Sequence, residues 1–199
     1  MSDTYRTIAA PAQGLYKEKG SKFTAYAFAV QSDDEVKQHV NWAKREFYDA
    51  RHHCYAYRIG KNGVLFRAND DGEPSGTAGK PILGQLLSAD LVNVLVVVVR
   101  YFGGTLLGTS GLITAYKAAA ANAITNAHIE ERTWNTEITA TFPYGSVNGV
   151  MKVVKDEQLQ IVAQEFSNAA CRITLSVRES KASSVRKKLE EVERLTSTI

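Results

Sequence analysis

Hydrophobic and polar positions along this chain change period several times, and each change marks an element. Phe23–Val30 is a compact apolar run that reads as a strand, and residues 4–8 and 12–18 read as shorter, mixed ones. Val36, Val40, Ala43 and Phe47 then recur at helical intervals and make one apolar face. Ser32 and Glu35 stand at capping-box spacing before it, which satisfies free N–H groups at the helix start. His52–Ile59 alternates as a strand, Gly60–Gly63 turns, and Val64–Asn69 returns as the hairpin partner. Pro81 suits the first turn of a short helix ending near Ser88. Val92–Tyr101 is β-branched and almost continuously apolar, which predicts a strand in the middle of a sheet. A glycine-rich turn, Phe102–Gly108, leads into a long alanine-rich helix from about Thr109 to Ala127. Its buried stripe is Leu112, Ala115, Tyr116, Ala119 and Ala123.

The composition shifts at Ile129–Trp134, which reads as a short polar connector. Beyond it Ile138, Ala140 and Phe142 alternate, and Val147, Val150, Met151 and Val154 mark a helix that Ser146 is placed to cap. Cys171, Ile173, Leu175 and Val177 alternate with polar neighbours as a one-sided strand, and Val185, Leu189 and Val192 mark a last helix. A final short strand is expected to begin at Thr196. The order βαββα, with that last β, is the order of a ferredoxin-like domain. The expected class is therefore α+β, with an N-terminal domain over residues 1–130 and a ferredoxin-like C-terminal domain over residues 135–199.

Composition narrows the function. The 199 residues, 44% of them apolar, suit a folded globular chain. A net charge of +3 without a long block of either sign shows no clustered basic footprint in the sequence itself. Cys54 and Cys171 fall in different domains, which fits a reducing compartment better than a disulfide framework. The N-terminus has no basic segment followed by an apolar one, so no secretory signal is expected. Leu91–Val99, the longest apolar run, is about half the ~20 residues a membrane helix needs. The expectation is a cytoplasmic protein with no membrane partner.

Three segments carry candidate chemistry. Arg100–Gly111 joins a buried strand to a helix start, where glycines allow close backbone approach and free N–H groups favour an anion. It lacks the Gly-Lys-Ser/Thr of a P-loop and reads equally as a tight strand-to-helix turn. Asn69–Pro81 combines Asp70, Asp71, Glu73, Ser75, Thr77 and Lys80 in one loop. Its carboxylates lack the spacing of a calcium loop, so a solvated acidic turn is expected rather than a metal site. In Asp49–Cys54, adjacent His52 and His53 point to opposite sheet faces, while His52 and Cys54 share one. A Cys–His pair is geometrically open there, against the commoner buried free thiol. Asp49 and Arg51 are placed to pair. In the last helix Arg186, Lys187 and Lys188 lie among Glu190, Glu191 and Glu193 and read as a solvated face.

Taken together, Asp49-Ala-Arg-His-His-Cys54, Asp70-Asp-Gly-Glu-Pro-Ser-Gly-Thr-Ala-Gly-Lys-Pro81 and Val99-Arg-Tyr-Phe-Gly-Gly-Thr-Leu-Leu-Gly108 resemble the IMPACT family, in its bacterial branch. The resemblance covers about Leu15–His128, with a weaker architectural match from Glu137 onward. It implies an N-terminal domain folded like the fourth domain of elongation factor G and the second domain of a small-subunit ribosomal protein. It implies a C-terminal domain like that factor's fifth. Eukaryotic relatives act in translation control by binding the scaffold that activates an amino-acid-starvation kinase. Two departures stand out: Leu106 and Thr114 occupy places that are often basic in the family, and Ser110 one that is often glycine.

The leading expectation is a non-enzymatic, translation-associated binding protein without cofactor or metal, whose partner is RNA or a ribosome-associated protein. Its surface would comprise Arg51, His52, His53, Asp71, Glu73, Ser75, Thr77, Lys80, Arg100, Tyr101, Gly103, Gly104 and Gly108. Arg51, Lys80 and Arg100 would meet phosphate or acidic groups, and Tyr101 would stack on a base. The alternative is a small hydrolase-like or transferase-like enzyme using His52 and Glu73 beside an anion-binding glycine turn, which requires both residues in one concave pocket. A partner-binding adaptor with no nucleic-acid role is the third.

Overall fold

The computed structural model describes residues 3–166 and 170–196. Tyr5–Arg132 forms one compact unit, and the remaining described residues form another.

The first unit is a twisted antiparallel sheet covered on both faces. Its strands are β2 (Ala12–Glu18), β3 (Ser21–Ala29), β4 (His52–Ile59), β5 (Leu65–Asn69) and β6 (Val94–Tyr101), in the order β2-β3-β6-β4-β5. β6 is central, as its apolar continuity predicts. It starts two residues later than its composition suggests, because Asn93 turns the backbone to φ 58° and its Oδ1 accepts the Gly60 amide at 2.8 Å. One face carries α2 (Gly79–Ser88) and α3 (Gly108–Asn126) over Phe23, Cys54, Val96 and Val98. The other packs α1 (Asp33–Glu46) over Tyr57, Leu95, Val97 and Val99. The α1 capping box forms: Ser32 Oγ accepts the Glu35 amide, and the Glu35 carboxylate reaches back to the Gln31 amide. The small residues of α3 let it lie against β2 so closely that a Cβ on Gly14 would stand 2.2 Å from the Ala123 nitrogen.

Residues 129–133 correct the sequence reading. They form a strand, β7 (Ile129–Thr133), paired with β1 (Thr4–Ile8) in a two-stranded ribbon. The ribbon lies outside the main sheet, so charged side chains such as Glu131 and Arg132 stay exposed and the apolar signal of a strand is missing.

The second unit has β8 (Asn135–Phe142), α4 (Val147–Asp156), β9 (Gln160–Phe166), β10 (Cys171–Arg178) and α5 (Ala182–Thr196). The strand order β8-β10-β9, antiparallel throughout, is that of the first three strands of a ferredoxin-like fold. Its core gathers Ile138, Phe142, Val150, Ile173, Leu175, Val185 and Leu189. Ser146 makes no side-chain cap to α4, because a short 3₁₀ turn runs into the helix and holds it in helical φ/ψ. Thr196 belongs to α5; the rest of the expected last strand lies outside the described residues. Lys188 and Lys181 pair with Glu157, so the charged face of α5 is partly engaged. Asp3 accepts both Nε and Nη2 of Arg178 at 2.7 Å and the Ser180 amide at 3.2 Å. These bonds, the Arg178 guanidinium first, hold its carboxyl well below the usual carboxylate range.

Candidate functional site

Strand register decides which side chains meet. β4 and β6 run antiparallel with His52 opposite Arg100 and Cys54 opposite Val98. Because side chains alternate, His52, Cys54, Val96, Val98 and Arg100 leave the sheet toward α2 and α3, while His53, Val97, Val99 and Tyr101 leave toward α1.

The loop between β5 and α2 folds over the end of this pair, and each of its acids has a separate task. Asp70 accepts the amides of Gly76, Ala78 and Gly79 at 2.8, 3.0 and 2.8 Å and so closes the start of α2. Burial opposes its ionisation, but those three amides outweigh burial and lower its pKa. Asp71, at φ 41°, accepts the His53 amide at 2.7 Å and Lys44 Nζ at 3.1 Å. Glu73 is buried, its Oε1 2.6 Å from Arg100 Nη1 and 2.7 Å from the Tyr116 hydroxyl. The acidic turn is therefore not a solvated one. Its carboxylates point in different directions, and among the described residues no group of three His, Cys, Asp or Glu side chains gathers as a metal site.

His52 Nδ1 lies 2.8 Å from the Asp71 carbonyl. A carbonyl only accepts, so Nδ1 carries a proton, and in the neutral ring the lone pair is on Nε2. Nε2 is 4.0 Å from Glu73 Oε1. Cys54 Sγ donates to the Asp70 carbonyl at 3.0 Å and lies 3.3 Å from the Tyr116 hydroxyl. Burial, only partly offset by Tyr116, pushes this thiol far up, and of the two readings of Cys54 the structure shows the buried free thiol of the core. Burial also drives the Tyr116 phenol far above its ordinary range, with Cys54 and Glu73 adding to it. Tyr116 is a hydrogen-bond donor here and stays protonated.

His52 and Glu73, but not Cys54 or Tyr116, border a cleft of about 430 Å³. Arg51, His52, Glu73 and Arg100 line it, together with Gly108 and Thr109 at the start of α3. That helix start has no side-chain cap, and Gly108 and Thr109 place it on the cleft wall. Pro74, Phe102, Leu106, Leu107 and Leu112 supply an apolar wall. A second hollow of about 390 Å³ lies in the other unit along β8, over Ile138, Phe142 and Leu189, with Glu137, Arg186 and Glu190 also lining it.

The cleft thus brings together five of the residues expected from sequence: Arg51, His52, Glu73, Arg100 and Gly108. The rest lie elsewhere. His53 is buried on the α1 side with Nε2 3.0 Å from the Phe47 carbonyl. Tyr101 also lies on that side and donates to Asp49 at 2.7 Å; this bond raises its pKa to about 12. Asp49 therefore takes Tyr101 rather than Arg51. Thr77 is buried and donates to the Pro74 carbonyl at 2.6 Å. Ser75 and Lys80 are exposed, outside the cleft lining. Gly103 is required by packing, since a Cβ there would stand 1.9 Å from the Gly20 carbonyl carbon; Gly104 needs glycine for its φ of 87°. Of the cleft lining, the sequence reading did not assign Phe102 or the other apolar wall residues to the site, nor did it foresee Tyr116, which holds Glu73 without lining the cleft.

Every residue of the cleft lies within residues 19–124, the span that matches the Impact N-terminal domain. The chain belongs to the IMPACT family. It is 34% identical to the IMPACT family member YigZ of Escherichia coli (strain K12) over 160 residues, which covers 79% of this chain and 78% of that protein. It is 40% identical to Protein IMPACT of Danio rerio over 96 residues, 46% of this chain and 30% of that one. A crystal structure described as that of a hypothetical protein superposes with a TM-score of 0.77 at 30% identity, covering 98% of this chain and 95% of that one. The resemblance read from the three motifs is borne out, and the motifs meet around one cleft. No helix among the described residues is long and apolar enough to cross a membrane.

Proposed function

We propose that this IMPACT-family chain is a non-enzymatic, translation-associated binding protein of the cytoplasm that recognises RNA, with a backbone phosphodiester seated in the cleft. The observation that carries the reading is the convergence of Arg51, Arg100 and the uncapped start of α3 on one concave surface. Two guanidiniums against the single Glu73 carboxylate leave one excess positive charge, which suits a monoanionic phosphodiester. The inaccessible Cys54 thiol argues against covalent catalysis. With Leu106 and Thr114 in places that are basic in many relatives, the charge rests on Arg51 and Arg100. Crosslinking in cells, followed by identification of attached RNA and protein, tests the reading. RNA attached to peptides containing residues 49–54 or 100–111 is the expected outcome. Protein crosslinks without RNA would replace it with the adaptor reading.

One observation favours an enzyme as the second reading. The Asp71 carbonyl orients His52 so that Nε2, 4.0 Å from Glu73, offers a lone pair inside a concave site. Loss of a measured phosphoester or peptide hydrolysis in His52→Gln, with folding intact, would establish it. Absence of turnover across both substrate classes would exclude it.

A further inference from the structure

We infer that the cleft holds one unstacked nucleotide of a single-stranded RNA, its base lying on Phe102 and its phosphate facing Arg51 and the first amides of α3. The inference rests on the RNA reading above and names the form of RNA. A bare phosphate would need only the polar floor. The apolar wall is left over, and it is exposed: Phe102 keeps 43% of its surface open to solvent and Leu106 83%. Large apolar side chains beside a cationic floor fit a ligand with a flat apolar body and one anionic group.

Arg100 fixes the platform. Its Cζ lies 5.4 Å from the Phe23 ring centroid and 5.7 Å from that of Phe102, and its Nη1 is held by Glu73. Arg100 Nε is buried without a hydrogen-bond partner and Nη1 is taken by Glu73, so Arg100 offers the cleft its charge and its contact with the rings, and the direct phosphate contact falls to Arg51. Phe102 is thus steadied by a cation that cannot leave. Tyr101, the stacking residue expected from sequence, is turned to the other face and tied to Asp49. A base within a duplex has both faces covered by its neighbours, so only a single strand can offer one to Phe102.

The test uses the full chain and fluorescence-labelled RNAs of about eight nucleotides: a single strand, the same strand with abasic residues at its centre, and a duplex. Wild type is expected to bind the base-bearing single strand most tightly. Phe102→Ala is expected to weaken that strand roughly 5- to 150-fold and the abasic strand little, so that the two become equal. Phe102→Tyr restores the preference. An unchanged urea midpoint in Phe102→Ala excludes misfolding as the cause. Wild-type binding of duplex or abasic strand as tight as that of the base-bearing strand overturns the inference, as does a preference that survives Phe102→Ala; in both cases the phosphate reading stands. Absence of salt-sensitive binding to all three RNAs overturns both.

Discussion

His52 and Arg100 stand directly opposite each other across β4 and β6, and the Glu73 carboxylate comes down between their side chains. Glu73 Oε1 also takes the Tyr116 hydroxyl, so the sheet, the β5–α2 loop and α3 meet at one oxygen. The wall of the cleft is built on a buried ion pair with a tyrosine attached.

Removing one member of that pair is expected to cost more than removing both. Glu73→Ala leaves the Arg100 charge buried and unpaired and should lower stability by about 3–5 kcal/mol in urea denaturation. Tyr116→Phe removes one hydrogen bond and should cost about 1–2 kcal/mol. The double change Glu73→Leu with Arg100→Met should be closer to wild type than Glu73→Ala. A Glu73→Ala midpoint equal to wild type would contradict the geometry.

Asp70 predicts a pH dependence. Its folded pKa is depressed below the ordinary 3.8, so its stabilising contribution is complete above that value and fades as pH falls through the folded pKa. Asp70→Ala, which uncaps the start of α2, should cost about 1 kcal/mol at neutral pH. Denaturation curves of the two proteins should converge below about pH 3.8. A gap that widens with acid would have the wrong sign.

The two adjacent glycines of the turn should fail differently. Gly103→Ala drives a methyl group into the Gly20–Ser21 backbone and should destabilise by about 1–3 kcal/mol or more. Gly104→Ala meets open space and bears only the strain of a positive φ, about 1–2 kcal/mol. Thermal melts of the two variants test the order.

Cys54 should be silent toward thiol reagents in the native chain. Its sulfur is fully buried and its thiol is held protonated. Labelling by an aromatic disulfide should proceed only at the rate of unfolding and become fast in urea. Rapid native labelling of Cys54 would reopen the Cys–His reading.

Much of this was legible in the sequence, and what was not has physical reasons. Val92–Tyr101 announced a central strand because both its faces are buried. Alternation alone put His52 and His53 on opposite faces. The same rule also separates Arg100 from Tyr101, and applied to that pair it would have moved the stacking role off Tyr101. Tyr116 escaped notice because a tyrosine on the buried stripe of an alanine-rich helix looks like packing; its hydroxyl partner lies 43 residues away in sequence. Phe102 sits just past the strand, where periodicity no longer assigns a face. Residues 129–133 hid a strand because three of the five, residues 131–133, are exposed and need no apolar face.

The central claim is that the cleft takes a phosphodiester of single-stranded RNA, and the affinity of a labelled strand as salt is raised tests it most directly. Log affinity should fall linearly with log salt, and Arg51→Ala should lower that slope by about 0.7, one phosphate contact. Arg51 is exposed at the cleft rim and, among the described residues, pairs with no carboxylate, so the fold should be untouched. Binding indifferent to salt, or a slope unchanged by Arg51→Ala, would contradict the account.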